Sequence, residues 1–207
     1  MLDKKIGVIG YSGHAYVVIE AGVLSGLDVG YYADKEENQS NPFSLEYLGF
    51  EKDNKFNTGL KTETFILGIG DNKMRLRVAE EIELKQWNLQ TVIHPDAKVS
   101  ELAKIGNGTF VGRGACINPF AEIGKYSIIN TASVIEHGCK IGHASHIAPG
   151  AVLAGDVKIG KASFIGANSV IKQGIIIGDN VIIGAGSVIL KDVPSQTKMA
   201  GNPGREI

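Results

Sequence analysis

Cysteine is scarce: Cys116 and Cys139 are the only two in 207 residues. Two cysteines cannot build the multi-bridge framework of a small secreted domain, and these two stand in no zinc-type spacing. Neither sign of charge is in excess, with 21 Lys and Arg against 22 Asp and Glu. That balance excludes a sequence-independent nucleic-acid binder, which is normally basic. A single charged substrate needs no global charge and stays open. Long apolar runs are missing too. No window approaches the ~18 uninterrupted apolar residues of a membrane span. The start, Met1-Leu2-Asp3-Lys4-Lys5, lacks the apolar stretch of a signal peptide. A cytoplasmic protein is the expectation. With 43% apolar and 21% charged residues, the chain suits one or two small globular domains.

What is present is a repeat of six. Every sixth residue from Ile93 to Ile189 is Ile, Val or Leu, as in Val99, Ile105, Val111, Ile117, Ile123 and Ile129. Two positions earlier the residue is usually small, as at Ala115, Ser127, Ser133, Cys139, Ser145 and Ala151. Directly after it stands Gly or Asn in many repeats, including Gly106, Gly124, Asn130, Gly142 and Gly160. A period of six matches neither a helix nor an alternating strand. It matches a short strand plus a tight turn, three of which close a triangular coil. The aliphatic residue then points to the axis and stacks on its counterpart one coil on, as in other solenoids. Gly and Asn are expected to supply positive φ at the corners. With no gap between Ile93 and Ile189, about five to six coils without an excursion loop are expected.

The first 88 residues follow another rhythm. Ile6–Gly10 reads as a strand, Tyr11–His14 as a turn, and Ala15–Leu24 as a helix. A second strand spans Asp28–Ala33, and residues 35–60 read as polar loop. A third strand spans Thr64–Ile69. A helix follows over Asn72–Glu83, with Met74, Leu76, Val78, Ala79 and Ile82 available for packing. Leu89–Ile93 leads into the coil. Alternating strand and helix predict a small parallel α/β domain. Gly7, Gly10 and Gly13 lie at its first strand-to-helix turn. Ligands of such folds sit at the carboxyl ends of the strands, and free amides at a helix start favour phosphate. The spacing is not the G-x-G-x-x-G dinucleotide fingerprint. Two readings stand, a tight turn only or a nucleotide-like ligand. For the second, a UDP-sugar fits better than NAD, with Asp34 placed for a ribose hydroxyl.

Three stretches carry a family signal: Asn130 to Gly142, Ser145 to Gly155, and Ala200-Gly201-Asn202-Pro203-Gly204-Arg205. Together with Gly10-Tyr11-Ser12-Gly13-His14 they resemble the sugar O- and N-acyltransferases of the hexapeptide-repeat type. That group includes sialic acid O-acetyltransferases and UDP-4-amino-sugar N-acetyltransferases. The resemblance implies a Rossmann-like sugar-nucleotide domain over residues 1–88 and a left-handed parallel β-helix over 89–207. Left-handedness comes from the resemblance alone, since crossovers are otherwise right-handed. It also implies a homotrimer, with acetyl-CoA as cosubstrate in grooves between neighbouring coils. His137 then matches the catalytic base, with Asn130 beside it and Glu136 a candidate to orient it. His146, Gly155, Ala167 and Ala185 match acetyl-CoA contacts. Ser12, Gly13, His14, Asp34 and Gly70 match sugar-nucleotide contacts. The sequence departs at one position: the family commonly has an acid directly after the histidine, and here stands Gly138.

The chemistry suits these residues. An amine or hydroxyl attacking a thioester must lose a proton, and histidine is a base matched to neutral pH. The 4-amino group of a UDP-linked sugar is the expected acceptor, with a sugar hydroxyl as the alternative. A γ-type carbonic anhydrase would need three histidines converging on zinc. His137, His143 and His146 suffice in number but not in spacing. A non-catalytic trimeric scaffold remains the third reading. His94 and His143 read as structural or surface residues, and Cys139 as core.

Overall fold

A computed structural model describes residues 5–53, 56, 57 and 61–207. The opening Met1–Lys4, and residues 54, 55 and 58–60 of the expected loop, lie outside that range. The amino-terminal part is a parallel sheet with helices. Its elements are β1 (Ile6–Ile9), α1 (Gly13–Leu24), β2 (Val29–Ala33), β3 (Glu46–Tyr47), β4 (Thr64–Leu67), α2 (Asn72–Leu84) and β5 (Asn88–Leu89). The strand order is β3-β2-β1-β4-β5, every pair parallel. All four residues of β1 are buried, as a central strand covered on both faces requires.

Three details differ from the sequence reading. The stretch read as loop contains β3, a short edge strand beside β2. Asn88 and Leu89 do not enter the coil but extend the sheet as β5. In α2 the buried positions are Asn72, Arg75, Val78, Ala79 and Ile82, whereas Met74 is exposed. The buried stripe thus starts with two polar residues, Asn72 and Arg75, in place of Met74.

From Val92 onward the chain winds as a triangular parallel coil. Cys116 pairs with Val134, Val134 with Val152, and Val152 with Val170, each one coil apart. The coil is unbroken, as expected. Its faces differ by their outward residues. The domain face carries Val92, Phe110, Ile128, His146, Phe164 and Ile182. The valine face carries Lys98, Cys116, Val134, Val152, Val170 and Val188. The lysine face carries Lys104, Glu122, Lys140, Lys158 and Ile176. Inside, the aliphatic stack from Val111 to Ile189 is buried as one cluster. The small polar residues of the repeat are buried without penalty because they find backbone acceptors, on the following coil or, for Ser133 and Ser187, three residues earlier in their own turn. Ser145 donates to Gly160 O at 2.7 Å and Ser163 to Gly178 O at 2.7 Å.

The glycine after each aliphatic residue does a different job from the one expected. Positive φ falls at the second turn residue, which is often not glycine: Tyr126, Ala132, Ala144, Asp156 and Asn168 all adopt it. Gly106, Gly124, Gly142 and Gly166 are not among the positive-φ residues. They are glycine because the next coil lies against them. A Cβ on Gly142 would stand 2.6 Å from the Gly160 carbonyl carbon and 2.6 Å from Lys161 N.

Candidate active site

The chain passes from domain face to valine face to lysine face and back. His137 occupies the turn joining the valine and lysine faces, between Ile135 and Cys139. Its side chain is exposed. The imidazole rests on Gly155 in the next coil: a Cβ there would meet Cε1 and Nε2 at 2.6 Å. Gly155 therefore serves as the floor under His137, a role read from contact and independent of any amide function. Asp156 N–H donates to His137 O at 2.9 Å and locks the two turns together. Glu136 is half-buried just before the turn, its N–H on Leu153 O at 3.0 Å. Gly138 has φ 69°, and the space its side chain would fill is taken by the Asp156 carboxylate.

Asn130 does not adjoin His137 within one chain. It stands where the domain face ends, and its amide donates to His146 Nε2 at 3.0 Å. Its Oδ1 accepts the Thr131 N–H at 2.8 Å, which orients the amide and leaves the proton of His146 on Nδ1. Among the described residues neither that Nδ1 nor His14 Nε2 meets a partner at full hydrogen-bond geometry, although the Gly70 backbone acts on His146. The two rings lie 6.3 Å apart beneath the amino-terminal domain, with Phe164 edge-on to His146. Burial, aided by the Arg75 charge, pushes His14 down to about 4 and His146 down to about 3. Both are neutral at neutral pH. His146 thus lies with His14, a residue expected at the sugar nucleotide, and away from Gly155, Ala167 and Ala185. Those two alanines sit in the turns leading from the domain face to the valine face. They and Gly155 flank opposite edges of the valine face.

The three turn glycines divide by cause. A Cβ on Gly7 would strike the Phe65 ring, and Gly10 combines φ 83° with contact to Ile69. Gly13 alone meets nothing within 4 Å, so neither packing nor φ demands glycine there. It opens α1 behind the exposed Ser12, whose side chain makes no cap bond. Asp34 is partly committed: its Oδ2 accepts the Tyr11 N–H at 2.8 Å and its Oδ1 accepts the Lys35 N–H at 2.7 Å. It fastens the glycine turn to the end of β2. Gly70 lies across from the His14 side chain at the end of the β4 segment. A cavity of about 800 Å³ opens beside it, lined by Asp71, Asn72, Lys73, Phe164, Asn180, Ile182 and Lys198.

Sequence reasoning missed Arg75. Only 1% exposed, it donates to Tyr126 O, Gly70 O, Asn72 Oδ1 and Ala144 O at 2.7–2.9 Å. Burial draws its pKa down to about 9, so it remains a cation at neutral pH. Its placement was readable, since Arg75, Val78, Ala79 and Ile82 follow i, i+3, i+4, i+7 spacing. Asp156 was missed as well, because its neighbourhood to His137 exists only between coils. The histidines of the zinc alternative diverge. His137 is at one corner, His143 at the next accepts the Lys125 N–H at 3.0 Å, and His146 is buried under the amino-terminal domain. Cys139 is core as expected, its thiol pushed up to about 11 by burial.

Residues 5–82 match the PglD N-terminal domain model, and residues 156–191 match the bacterial transferase hexapeptide (six repeats) model. The chain is 32% identical to PerB from Caulobacter crescentus, solved in complex with CoA and GDP-perosamine. That match covers 98% of this chain and 97% of PerB with a TM-score of 0.90. It is 30% identical to the acetyltransferase domain of PglB from Neisseria gonorrhoeae FA1090, covering 99% and 100% with a TM-score of 0.90. A curated relative, UDP-N-acetylbacillosamine N-acetyltransferase of Bacillus subtilis (strain 168), is 31% identical over 118 residues. That match covers 52% of this chain and about half, 51%, of the relative.

Proposed function

The chain belongs to the hexapeptide-repeat sugar acyltransferases, and from that premise we propose that it transfers the acetyl group of acetyl-CoA to the 4-amino group of a UDP-linked amino sugar. The observation that carries this reading is the likeness over nearly the whole chain to an enzyme solved with both CoA and a nucleotide-linked amino sugar. The choice of UDP rests on the curated relative, whose name specifies a UDP-sugar. The coil is the left-handed β-helix of this family.

His137 is the general base. Its exposed imidazole accepts the proton lost as the neutral amine attacks the thioester carbonyl. The tetrahedral intermediate then collapses, the C–S bond breaks, and the departing sulfur takes up a proton. The Gly155 floor keeps the ring in one place. Ser12, Gly13, His14, Asp34 and Gly70 hold the sugar nucleotide. Gly155, Ala167 and Ala185 line the acetyl-CoA side, and Asn130 and His146, bonded to each other, stand toward the sugar nucleotide.

The active unit is a homotrimer. The turn carrying His137 is the one corner of the coil that does not border the domain face. A sugar nucleotide on the glycine turn therefore lies across the coil from the same chain's His137, and a neighbour must supply the base. The valine face offers the surface for that neighbour, because Cys116, Val134, Val152, Val170 and Val188 form an apolar stripe with Val170 41% exposed. Among the described residues no helix is long and apolar enough to cross a membrane. A cytoplasmic setting is part of the same proposal.

The test is CoA release from acetyl-CoA with UDP-4-amino-sugars, GDP-4-amino-sugars and sialic acids as acceptors. Turnover with a UDP-4-amino-sugar is expected, and His137→Ala should lower kcat roughly 10²–10⁴-fold. Silence across the panel, with no acetyl-CoA binding by calorimetry, sinks the reading. Turnover only with a sugar hydroxyl would replace the acceptor.

A further inference from the structure

The turn of His137 and the turn after it interlock by two reciprocal vacancies. The His137 ring lies where Gly155 has no side chain, and the Asp156 carboxylate lies where Gly138 has none. The Asp156 N–H on His137 O sets this offset. A side chain at 138 and the carboxylate at 156 therefore compete for one volume, and this chain assigns that volume to Asp156. The carboxylate makes no hydrogen bond or ion pair among the described residues, so it is free to respond to a charge on the ring.

We propose that Asp156 is the positioning carboxylate of His137, delivered from the next coil through the gap at Gly138. Its charge stabilises the imidazolium formed when the base takes up the acceptor's proton and strengthens the imidazole as a base. The surroundings leave few rivals. The preceding coil presents Pro119 and Phe120, both uncharged, with Glu101 one coil further off. The following coil presents Asp156, and beyond it stand Lys172 and Gln173. On the turn's own strand Glu136 is the competing carboxylate. Nothing in the structure brings Glu136 to the turn glycines, whereas Asp156 adjoins the residue on which the ring lies.

The inference rests on His137 as base, yet its test does not need turnover. In the intact 207-residue chain, NMR titration of its five histidines identifies His137 by the signal lost in His137→Asn. Asp156→Asn should move the His137 titration to lower pH than in the parent. The acid limb of the kcat profile should move down by the same amount, and the plateau should fall severalfold. Glu136→Gln should leave the titration in place. Asn at 156 will fold, since Asn168 and Asn180 hold the same left-handed conformation at equivalent turns. Moving the acid back, with Gly138→Glu and Asp156→Gly together, should restore the limb. An unchanged titration in Asp156→Asn, or an equal shift in Glu136→Gln, overturns the proposal. An enzyme inactive on every sugar would overturn the acetyltransferase reading and leave this titration readable.

Discussion

Glycine at 142 and glycine at 155 look alike in the sequence and serve different ends. Gly142 is pressed by backbone atoms of the following coil, which cannot move without opening the stack. Gly142→Ala should destabilise the protein by about 1–3 kcal/mol in chemical denaturation, as overpacking does. Gly155 is pressed by the end of an exposed imidazole, which can swing away. Gly155→Ala should therefore leave the denaturation midpoint near that of the parent and reduce CoA release at least tenfold, because the base is displaced by the new methyl group. If both variants lost only stability, the floor assigned to Gly155 would be wrong.

At the scale of elements, α2 is fastened to the coil by two buried side chains, Asn72, whose amide donates to Ala162 O and Ser163 O, and Arg75. Arg75 reaches from the helix to carbonyls of Tyr126 and Ala144, which hold the same corner in two successive coils. Arg75→Met keeps the bulk and removes the donors, leaving buried carbonyls without partners. A loss of roughly 2–4 kcal/mol in equilibrium unfolding is expected. The His14 and His146 pair makes the same junction sensitive to pH. Both histidines have folded-state pKa values below the unfolded 6.5, so the unfolded chain binds more protons in acid. Their contribution is intact above pH 6.5 and is lost as pH falls toward about 4 and then about 3. Thermal unfolding across that window should show Tm falling with pH. His146→Gln, which carries no titrating group, should flatten the fall.

For the whole molecule, the proposed trimer makes the valine face the surface on which a complete site depends. Val170→Lys places a charge in the middle of the apolar stripe. Sedimentation should show smaller species than the parent forms, with CoA release lost although the circular dichroism spectrum of the coil is retained. A fully assembled, fully active variant would move the interface elsewhere.

The sequence by itself determined the coil and the kind of residue in each of its layers, because the six-residue period is a local pattern repeated without interruption. It also marked His137, whose type and motif can be read along the chain. The α/β order of the first part was legible for the same reason, apart from β3 and β5, which are too short to show a period. The tertiary structure alone decided which residues meet. Winding brings each corner against the residue one full coil later, so Gly155 comes under His137 and Asp156 fills the gap at Gly138. Docking of the first domain brings the buried Arg75 and His146 together with the half-buried His14, a juxtaposition of residues far apart in sequence. Neither contact has a signature in neighbouring residues, because both are made between strands and domains.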